Sequence, residues 1–225
     1  MLARTAWLVF RKDLTIEVRS RETLATTLFF ALSAVLVFAF ALVKEGRVVA
    51  DAAAGILWIA IAFSGTLALG RTFERERYTD TLRALMLAPA DRPAIYLGKL
   101  AGVVSLILIA EIVLVPLVAL LFDAALLQRP LLLVALLGTG TLGFASVGTL
   151  FAAMLARARS RDVLLPVLLY PITIPVIIAG VRGTAALAAP VPDESMAVFW
   201  LMLLVCFDVV FLTLALWTFE PLMTD

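Results

Sequence analysis

The sequence predicts an all-α membrane protein with six transmembrane helices, preceded by an amphipathic helix at the membrane interface. Hydrophobic residues make up 64% of the 225 residues, 16% are charged, and the mean hydropathy is +1.10. Soluble domains are about half apolar and a quarter charged. Six apolar stretches are long enough to cross a bilayer core, which takes about 20 helical residues. The chain has no histidine, which excludes the commonest metal ligand and the serine and cysteine triads.

The predicted architecture has two parts, a cytoplasmic interfacial helix (1–22) and one six-helix membrane domain (23–225). In the first part, Trp7, Phe10, Leu14 and Val18 recur at helical spacing with basic residues elsewhere around the helix. This pattern is typical of a helix that lies in the interface; a frayed basic tail is the alternative. The predicted spans are 23–43, 51–70, 96–121, 131–155, 163–181 and 197–219.

The positive charges predict the orientation of these spans. Of the 18 Lys and Arg residues, 14 lie in the N-terminal segment and in the loops 71–99 and 156–162, and the other four lie in the opposite loops. Because cytoplasmic loops carry the excess of Lys and Arg, both termini are expected in the cytoplasm. In this count, Lys99 belongs to a loop. We expect no Lys or Arg within a span.

The loop 71–99 is the longest polar segment. Asp80 is the expected N-cap of a short helix over Thr81–Leu87, which ends before Pro89. Three apolar residues at i, i+3 and i+4 form one face of this helix, namely Leu82, Leu85 and Met86. Such a face either folds against the chain's own helix ends or lipid headgroups, or docks into a groove on a partner protein.

Two carboxylic acids fall inside the spans, Glu111 in the third and Asp208 in the sixth. An ionised group at that depth costs at least about 2.5–3.5 kcal/mol, so neither is expected to face lipid. Both are expected to be protonated or hydrogen-bonded to Thr, Ser or backbone groups. They act either as polar contacts between helices or subunits, which we favour, or as a proton relay, which usually needs a longer chain of titratable groups.

The fourth and fifth spans have special packing features. The fifth carries Pro166, Pro171 and Pro175, which predicts a bent or broken helix. We expect a kink at Pro171, Thr173 and Pro175 that either moves during activity or is a fixed bend. In the fourth span small residues recur every four positions, at Thr141, Ala145, Thr149 and Ala153. They are expected to pack within the bundle rather than at a homodimer seam.

The sequence offers no catalytic or metal site. No G-x-x-x-x-G-K-[ST] phosphate loop and no carboxylate–histidine cluster occur. If the protein uses ATP, a separate chain must bind it. Met154 and Cys206 lie in spans, where such residues are usually packing residues, so we expect no axial haem ligation by this chain. The net charge of +1 does not indicate a nucleic-acid partner.

Several motifs follow one another along the chain. The first half contains Gly55-Ile-Leu-Trp-Ile-Ala, Phe73-Glu74-Arg75 and Leu85-Met86-Leu-Ala-Pro89. The second half contains Gly138-Thr-Gly-Thr-Leu-Gly-Phe144 and Pro171-Ile-Thr-Ile-Pro175. In this order the motifs resemble the haem exporter protein B (CcmB) family of cytochrome c maturation. One departure is Thr79-Asp80-Thr81, where family members often carry Asp-Gly-Ser; it leaves the cap residue in place.

The resemblance implies a non-catalytic permease subunit of an ATP-binding-cassette complex in the bacterial inner membrane. Two copies would pair with two cytosolic ATPase subunits (CcmA-like), which hold ATP and Mg²⁺. Further partners would be a haem-handling membrane protein (CcmC-like), a small subunit (CcmD-like) and a periplasmic haem chaperone (CcmE-like). ATP hydrolysis would drive release of the haem-loaded chaperone, with haem in the complex but not bound by this chain.

Under the same resemblance, Thr81–Leu87 is the coupling helix. Its apolar face would enter the ATPase, with basic residues around the rim; the coupling residues are Arg75, Arg77, Asp80, Leu82, Arg83, Leu85 and Met86. Three alternatives remain from the residues alone: an export permease for a lipid, polysaccharide or drug, an ATP-independent secondary transporter with carboxylates as proton sites, and a structural assembly subunit.

Overall fold

Six long apolar helices account for most of the chain. The computed structural model describes residues 2–44, 47–48, 50–72, 92–156, 158 and 160–222. These residues form the helices α1 (Leu2–Ser20), α2 (Glu22–Ala41), α3 (Ala53–Thr72), α4 (Arg92–Phe122), α5 (Pro130–Met154), α6 (Arg161–Ala188) and α7 (Glu194–Leu222). Helices α2 to α7 are long and apolar enough to cross a membrane. The predicted all-α fold with six spans is confirmed.

The connections between the helices are short where the structure describes them. Between α2 and α3, the two-residue strands β1 (Val43–Lys44) and β2 (Arg47–Val48) pair antiparallel. Single 3-10 turns at Ala50–Ala52 and Leu126–Gln128 precede α3 and α5. Short connections make chain neighbours pack antiparallel, so the ends of α3 and α4 that flank residues 73–91 lie on the same side of the bundle.

The fifth span was predicted to be bent or broken. Helix α6 runs without a break through Pro166, Pro171 and Pro175, so the expectation of a break is wrong, and a bend stays a prediction. Each proline removes one backbone donor, but α6 packs against α3, α5 and α7, and these contacts hold the remaining turns. Pro171 and Pro175 lie on the exposed face of α6, away from the packed side.

The junction of α1 and α2 is a single residue in the left-handed region. Arg21 has a φ of 53° and separates the two helices. Its side chain does not cap α2. Instead, the backbone N–H of Leu24 donates to Oε1 of Glu17 at 2.8 Å, so a carboxylate from α1 satisfies one of the free amides at the start of α2. This contact fixes the direction in which α1 leaves the bundle.

Helix α1 packs along the first turns of α4. The two helices meet at Gly98, where an added Cβ would lie 2.7 Å from the carbonyl oxygen of Ala6 and from Cβ of Val9. Val9 is buried, whereas Trp7 and Val18 of the predicted apolar stripe are exposed and its other two members, Phe10 and Leu14, are half-buried. The stripe is therefore only partly covered by the protein. An exposed apolar stripe with a tryptophan is typical of an interfacial helix, and that placement stays a prediction.

The centre of the bundle is organised around Trp58 of α3. Its indole fills a slot between Gly140 of α5 and Gly180 of α6, where an added Cβ would lie 2.1 and 2.3 Å from ring atoms. The indole N–H donates to Oγ1 of Thr184 at 3.0 Å. Only glycine lets helix backbones approach an indole so closely, and the hydrogen bond satisfies the polar edge of the ring.

Further hydrogen bonds between side chains or to the backbone connect neighbouring helices. Tyr96 of α4 donates to the carbonyl of Ser146 in α5 at 3.0 Å. The hydroxyls of Thr66 in α3 and Tyr170 in α6 lie 3.2 Å apart. In lipid, hydrophobic burial does not favour one helix contact over another, so close packing and such hydrogen bonds select the neighbours.

Helix α7 begins at a capping residue outside the membrane spans. The hydroxyl of Ser195 and the backbone N–H of Met196 both donate to Oδ1 of Asp193, at 2.6 and 3.0 Å. These hydrogen bonds, the Ser195 bond foremost, lower the pKa of the Asp193 carboxyl below its ordinary value. The cap therefore stabilises α7 above the unfolded-state pKa and is lost as the pH falls through the lowered one.

The Trp58 slot gives a prediction for stability. Replacing Gly180 with Ala places a Cβ inside the indole ring volume, and the buried ring cannot move away freely. We expect a loss of about 1–3 kcal/mol, the usual cost of overpacking, measured as a lower midpoint of SDS-induced unfolding. Gly138→Ala is the matched control because its added Cβ meets nothing within 4 Å. Equal midpoints for the two variants would show that the slot is not tightly packed.

Candidate functional site

The carbonyl end of α3 is held by two buried cations. One guanidinium nitrogen, Nη2 of Arg161, donates to the carbonyls of Leu69 and Gly70 at 3.0 and 2.6 Å. The ammonium of Lys99 donates to the carbonyl of Thr72 at 3.4 Å. Cations are also favoured at this end of a helix by its dipole.

Lys99 is neutralised by an acidic residue of α1. Its ammonium lies 2.8 Å from Oδ2 of Asp13, and the ammonium of Lys12 lies 3.2 Å from Oδ1 of the same carboxylate. Only 1% of the Lys99 side chain is exposed. A buried charge needs a close partner, and α1 supplies one to Lys99 at this position. We call Lys12, Asp13, Lys99 and Arg161 the α3-end cluster.

The placement of Lys99 corrects the sequence prediction. Lys99 was counted in the loop 71–99, and no Lys or Arg was expected within a span. It lies inside α4 because that helix starts at Arg92, and Arg182 likewise lies inside α6. Lys99 does not reach Glu111, since twelve helical residues separate them by about 18 Å. The apolar stretch around Lys99 was the sequence feature that could have placed this lysine inside the helix. Its partner on α1 could not be identified from the sequence.

A second ion pair connects the last described turn of α3 to the start of α2. Nη1 of Arg71, in the last turn of α3, lies 2.9 Å from Oε1 of Glu22, the first residue of α2. Both side chains are partly exposed, so this pair contributes little stability by itself. With the α3-end cluster it connects α1, α2, α4 and α6 to one turn of α3. Residues 73–91 follow directly after that turn.

The predicted coupling residues lie outside the described part of the chain. Arg75, Arg77, Asp80, Leu82, Arg83, Leu85 and Met86 all fall within residues 73–91. Their role therefore stays a prediction. The structure describes the two helix ends that flank them, and both ends take part in buried charge contacts.

The two acids inside the spans have different surroundings. Glu111 is buried, and Oγ1 of Thr141 donates to its Oε1 across the α4–α5 interface. Asp208 is also buried, and its Oδ1 has no hydrogen-bond partner among the described residues. That oxygen faces the backbone of α5, where a Cβ added to Gly143 would lie 2.6 Å from it. Among the described residues neither acid has an ion-pair partner.

The small-residue stripe lies inside the single chain. Thr141, Ala145 and Thr149 are fully buried and Ala153 is 7% exposed. A second copy could not reach these residues without separating the bundle.

At the predicted kink of α6, Thr173 is buried and its hydroxyl donates to the carbonyl of Leu169 at 2.9 Å.

The structure does not bring candidate metal or haem ligands together. No group of three or more Cys, Asp or Glu residues able to hold a metal occurs in the described ranges. Met154 ends α5 and Cys206 lies in α7, and both are exposed. The described part of the chain offers structural contacts and a charge cluster.

Comparison with known proteins gives one consistent family. A family model described as CcmB protein matches residues 4–221. The chain is 29% identical to the heme exporter protein B of Haemophilus influenzae over 81% of this chain and 83% of that protein. It is 29% identical to the protein of the same name in Rhodobacter capsulatus over 83% and 87%. The match to the Escherichia coli K12 protein of that name is 34% identical but spans 42% of that relative's length.

The Asp13–Lys99 pair predicts a strong coupling between two substitutions. Asp13→Asn removes a counter-charge 2.8 Å from the buried ammonium, and we expect a loss of roughly 3 kcal/mol, at the lower end for a broken buried pair because Asp13 is partly exposed. Adding Lys99→Met removes the stranded charge and should recover most of that loss. Unfolding midpoints of the two single variants and the double variant measure the coupling. Additive losses would contradict the pairing.

The Glu111–Thr141 contact predicts a difference between two replacements. Glu111→Gln keeps an acceptor for the Thr141 hydroxyl and should leave both stability and activity of the assembled protein unchanged. Glu111→Leu removes the acceptor and should cost less than about 2 kcal/mol, seen as a lower unfolding midpoint. An inactive Gln variant that still assembles normally would instead indicate a proton relay.

Proposed function

Because the chain belongs to the CcmB protein family, we propose that it is the membrane-spanning permease subunit of an ATP-binding-cassette complex for haem export in cytochrome c maturation. The family match over residues 4–221, two relatives described as heme exporter protein B that match over four-fifths of the chain, and the six apolar helices support this proposal. The proposed location is the bacterial inner membrane, with both termini in the cytoplasm, because 14 of 18 positive charges lie on that side.

The chain acts as a non-catalytic subunit. It has no phosphate-binding loop, so ATP and Mg²⁺ bind to a separate ATPase subunit (CcmA-like). Further partners are a second copy of this chain, the CcmC-like and CcmD-like membrane subunits and the CcmE-like periplasmic chaperone. Haem is present in the complex, and hydrolysis on the ATPase leads to release of the haem-loaded chaperone.

Coupling runs through residues 73–91. The proposed helix Thr81–Leu87 inserts Leu82, Leu85 and Met86 into a groove on the ATPase, with Arg75, Arg77 and Arg83 around the rim and Asp80 as the cap. Support comes from the flanking helices. Arg161 and Lys99 tie the end of α3 to α6 and α4, so a displacement of the segment is passed into three helices instead of unwinding one.

Two features inside the membrane domain serve this movement. Glu111 and Asp208 act as polar contacts between helices, consistent with the Thr141 hydrogen bond. The prolines Pro171 and Pro175 let α6 bend during the ATPase cycle, since each leaves one backbone carbonyl without its helical donor. A fixed bend is the alternative, and full activity of the double Pro→Ala variant would favour it.

The coupling proposal is tested by Leu85→Asp. Burying a leucine contributes about 1.5–3 kcal/mol, and a carboxylate in the groove adds a desolvation cost. We therefore expect the affinity for the ATPase subunit to fall by at least about tenfold, measured by co-purification and by ATPase turnover of the complex. Leu127→Asp makes the same change at an exposed residue between α4 and α5 and should have no effect. An ATPase that stays bound with unaltered turnover would reject the assignment.

A further inference from the structure

A cavity opens beside the α3-end cluster. It has a volume of about 320 Å³ and lies between α1, the start of α2, the end of α3 and the first half of α4. This volume is at the lower end of the range of small-molecule sites, roughly 300–1,000 Å³. Neither the packing of the bundle nor the proposed coupling requires this cavity.

The lining is divided into an apolar and a charged part. The apolar part contains Leu14, Ile16, Ala68, Val103 and Leu106. The charged part contains both signs, with the cations of Lys12 and Arg71 and the carboxylates of Asp13 and Glu17. A free polar solute would gain nothing from the apolar part, whereas an amphipathic ligand fits both.

Among the residues that the structure describes, the charges around the cavity balance. Lys12, Lys99 and Arg71 supply three cations, and the cavity carboxylates together with Glu22, the partner of Arg71, supply three anions. A purely anionic headgroup would therefore gain little net attraction here. A headgroup that carries both a phosphate and an ammonium matches the two signs, because each ionic group can face its opposite.

The donors and acceptors needed for such a headgroup are present. Arg71 uses Nη1 toward Glu22, and a guanidinium has five N–H donors in total. Glu17 accepts one hydrogen bond from Leu24, and a carboxylate accepts several. Both groups can therefore bind a ligand without losing their present contacts.

The depth of the cavity fits a lipid. Along α4 it reaches from Lys99 to Leu106, a distance of about 10 Å at 1.5 Å per residue. Since α4 starts at Arg92, this direction leads from the charged helix end toward the bilayer centre. The exposed Trp7 on α1 is typical of the headgroup level. The charged part thus lies at the headgroups and the apolar part at the upper acyl chains.

We propose that this cavity binds a zwitterionic phospholipid with a primary amine, of the phosphatidylethanolamine class. The phosphate contacts Arg71 with Lys12 nearby, the ammonium donates to Glu17 and Asp13, and an acyl chain lies along Val103 and Leu106. The bound lipid fills the space between α1 and the end of α3. The proposal goes beyond the proposed function and does not depend on the ATPase or on haem.

The test is native mass spectrometry of the full chain after exchange with vesicles of phosphatidylethanolamine, phosphatidylcholine or phosphatidylglycerol. The wild type should retain phosphatidylethanolamine about tenfold more than phosphatidylcholine, whose methylated amine cannot donate, a difference that matches one lost charge-assisted hydrogen bond. Equal retention of the three lipids would overturn the proposal. Displacement by soluble glycerophosphoethanolamine would also overturn it, because the apolar part would then contribute nothing.

Two variants locate the lipid. Gly102 lines the cavity, and a Cβ added there meets only Cβ of Asp13 at 3.9 Å, so Gly102→Leu should fill the space and abolish retention. Gly138→Leu is the control, since its added Cβ meets nothing within 4 Å. Glu17→Gln can still accept from Leu24 but loses the negative charge, and it should lose the preference for the ethanolamine lipid. If Gly102→Leu retains as much lipid as Gly138→Leu, the cavity is not the site.

Discussion

The carbonyl end of α3 is the constraint on which the rest of the arrangement depends. Lipid offers no hydrogen-bond donors, so a backbone carbonyl that lacks one depends on the protein itself. Here the carbonyls of Leu69, Gly70 and Thr72, in the last described turn of α3, accept from Arg161 and Lys99. The cations themselves are costly to bury, and Asp13 of α1 offsets the charge of Lys99. The N-terminal helix α1 thus supplies the counter-charge for a cation that binds the end of α3. This explains why α1 packs so closely on α4.

In the membrane part of the bundle, hydrogen bonds from side chains connect neighbouring helices. Trp58, Tyr96 and Glu111 each have a hydrogen-bond partner on a neighbouring helix. Glycines at the crossing points let the backbones come close enough for these contacts. Under the proposed coupling through residues 73–91, α3 would carry a displacement to α4 and α6, its partners at the α3-end cluster.

Much of the fold could be predicted from the sequence, because long apolar runs report directly on helices that cross a bilayer. All six spans and the helical N-terminal segment were found in this way, and the ordered motifs were sufficient for the family. The features that could not be predicted from the sequence depend on tertiary contacts. Lys99 was assigned to a loop because its counter-charge, Asp13, is 86 residues earlier in the sequence. Arg161 was treated as a loop charge, although it binds carbonyls about 90 residues away. The prolines predicted a bent or broken α6, but the helix is continuous and packs on three neighbours.

The central claim is that Arg161 keeps the last turn of α3 ordered, so that residues 73–91 extend from a fixed point. Amide hydrogen exchange of the full chain in lipid nanodiscs tests this most directly, with the last turn of α3 compared between the wild type and Arg161→Gln. The account predicts faster exchange in that turn in the variant, an intermediate rate in Arg161→Lys, which keeps the charge but not the guanidinium fork, and no change at the centre of α3. Identical exchange of the last turn in all three proteins would contradict it.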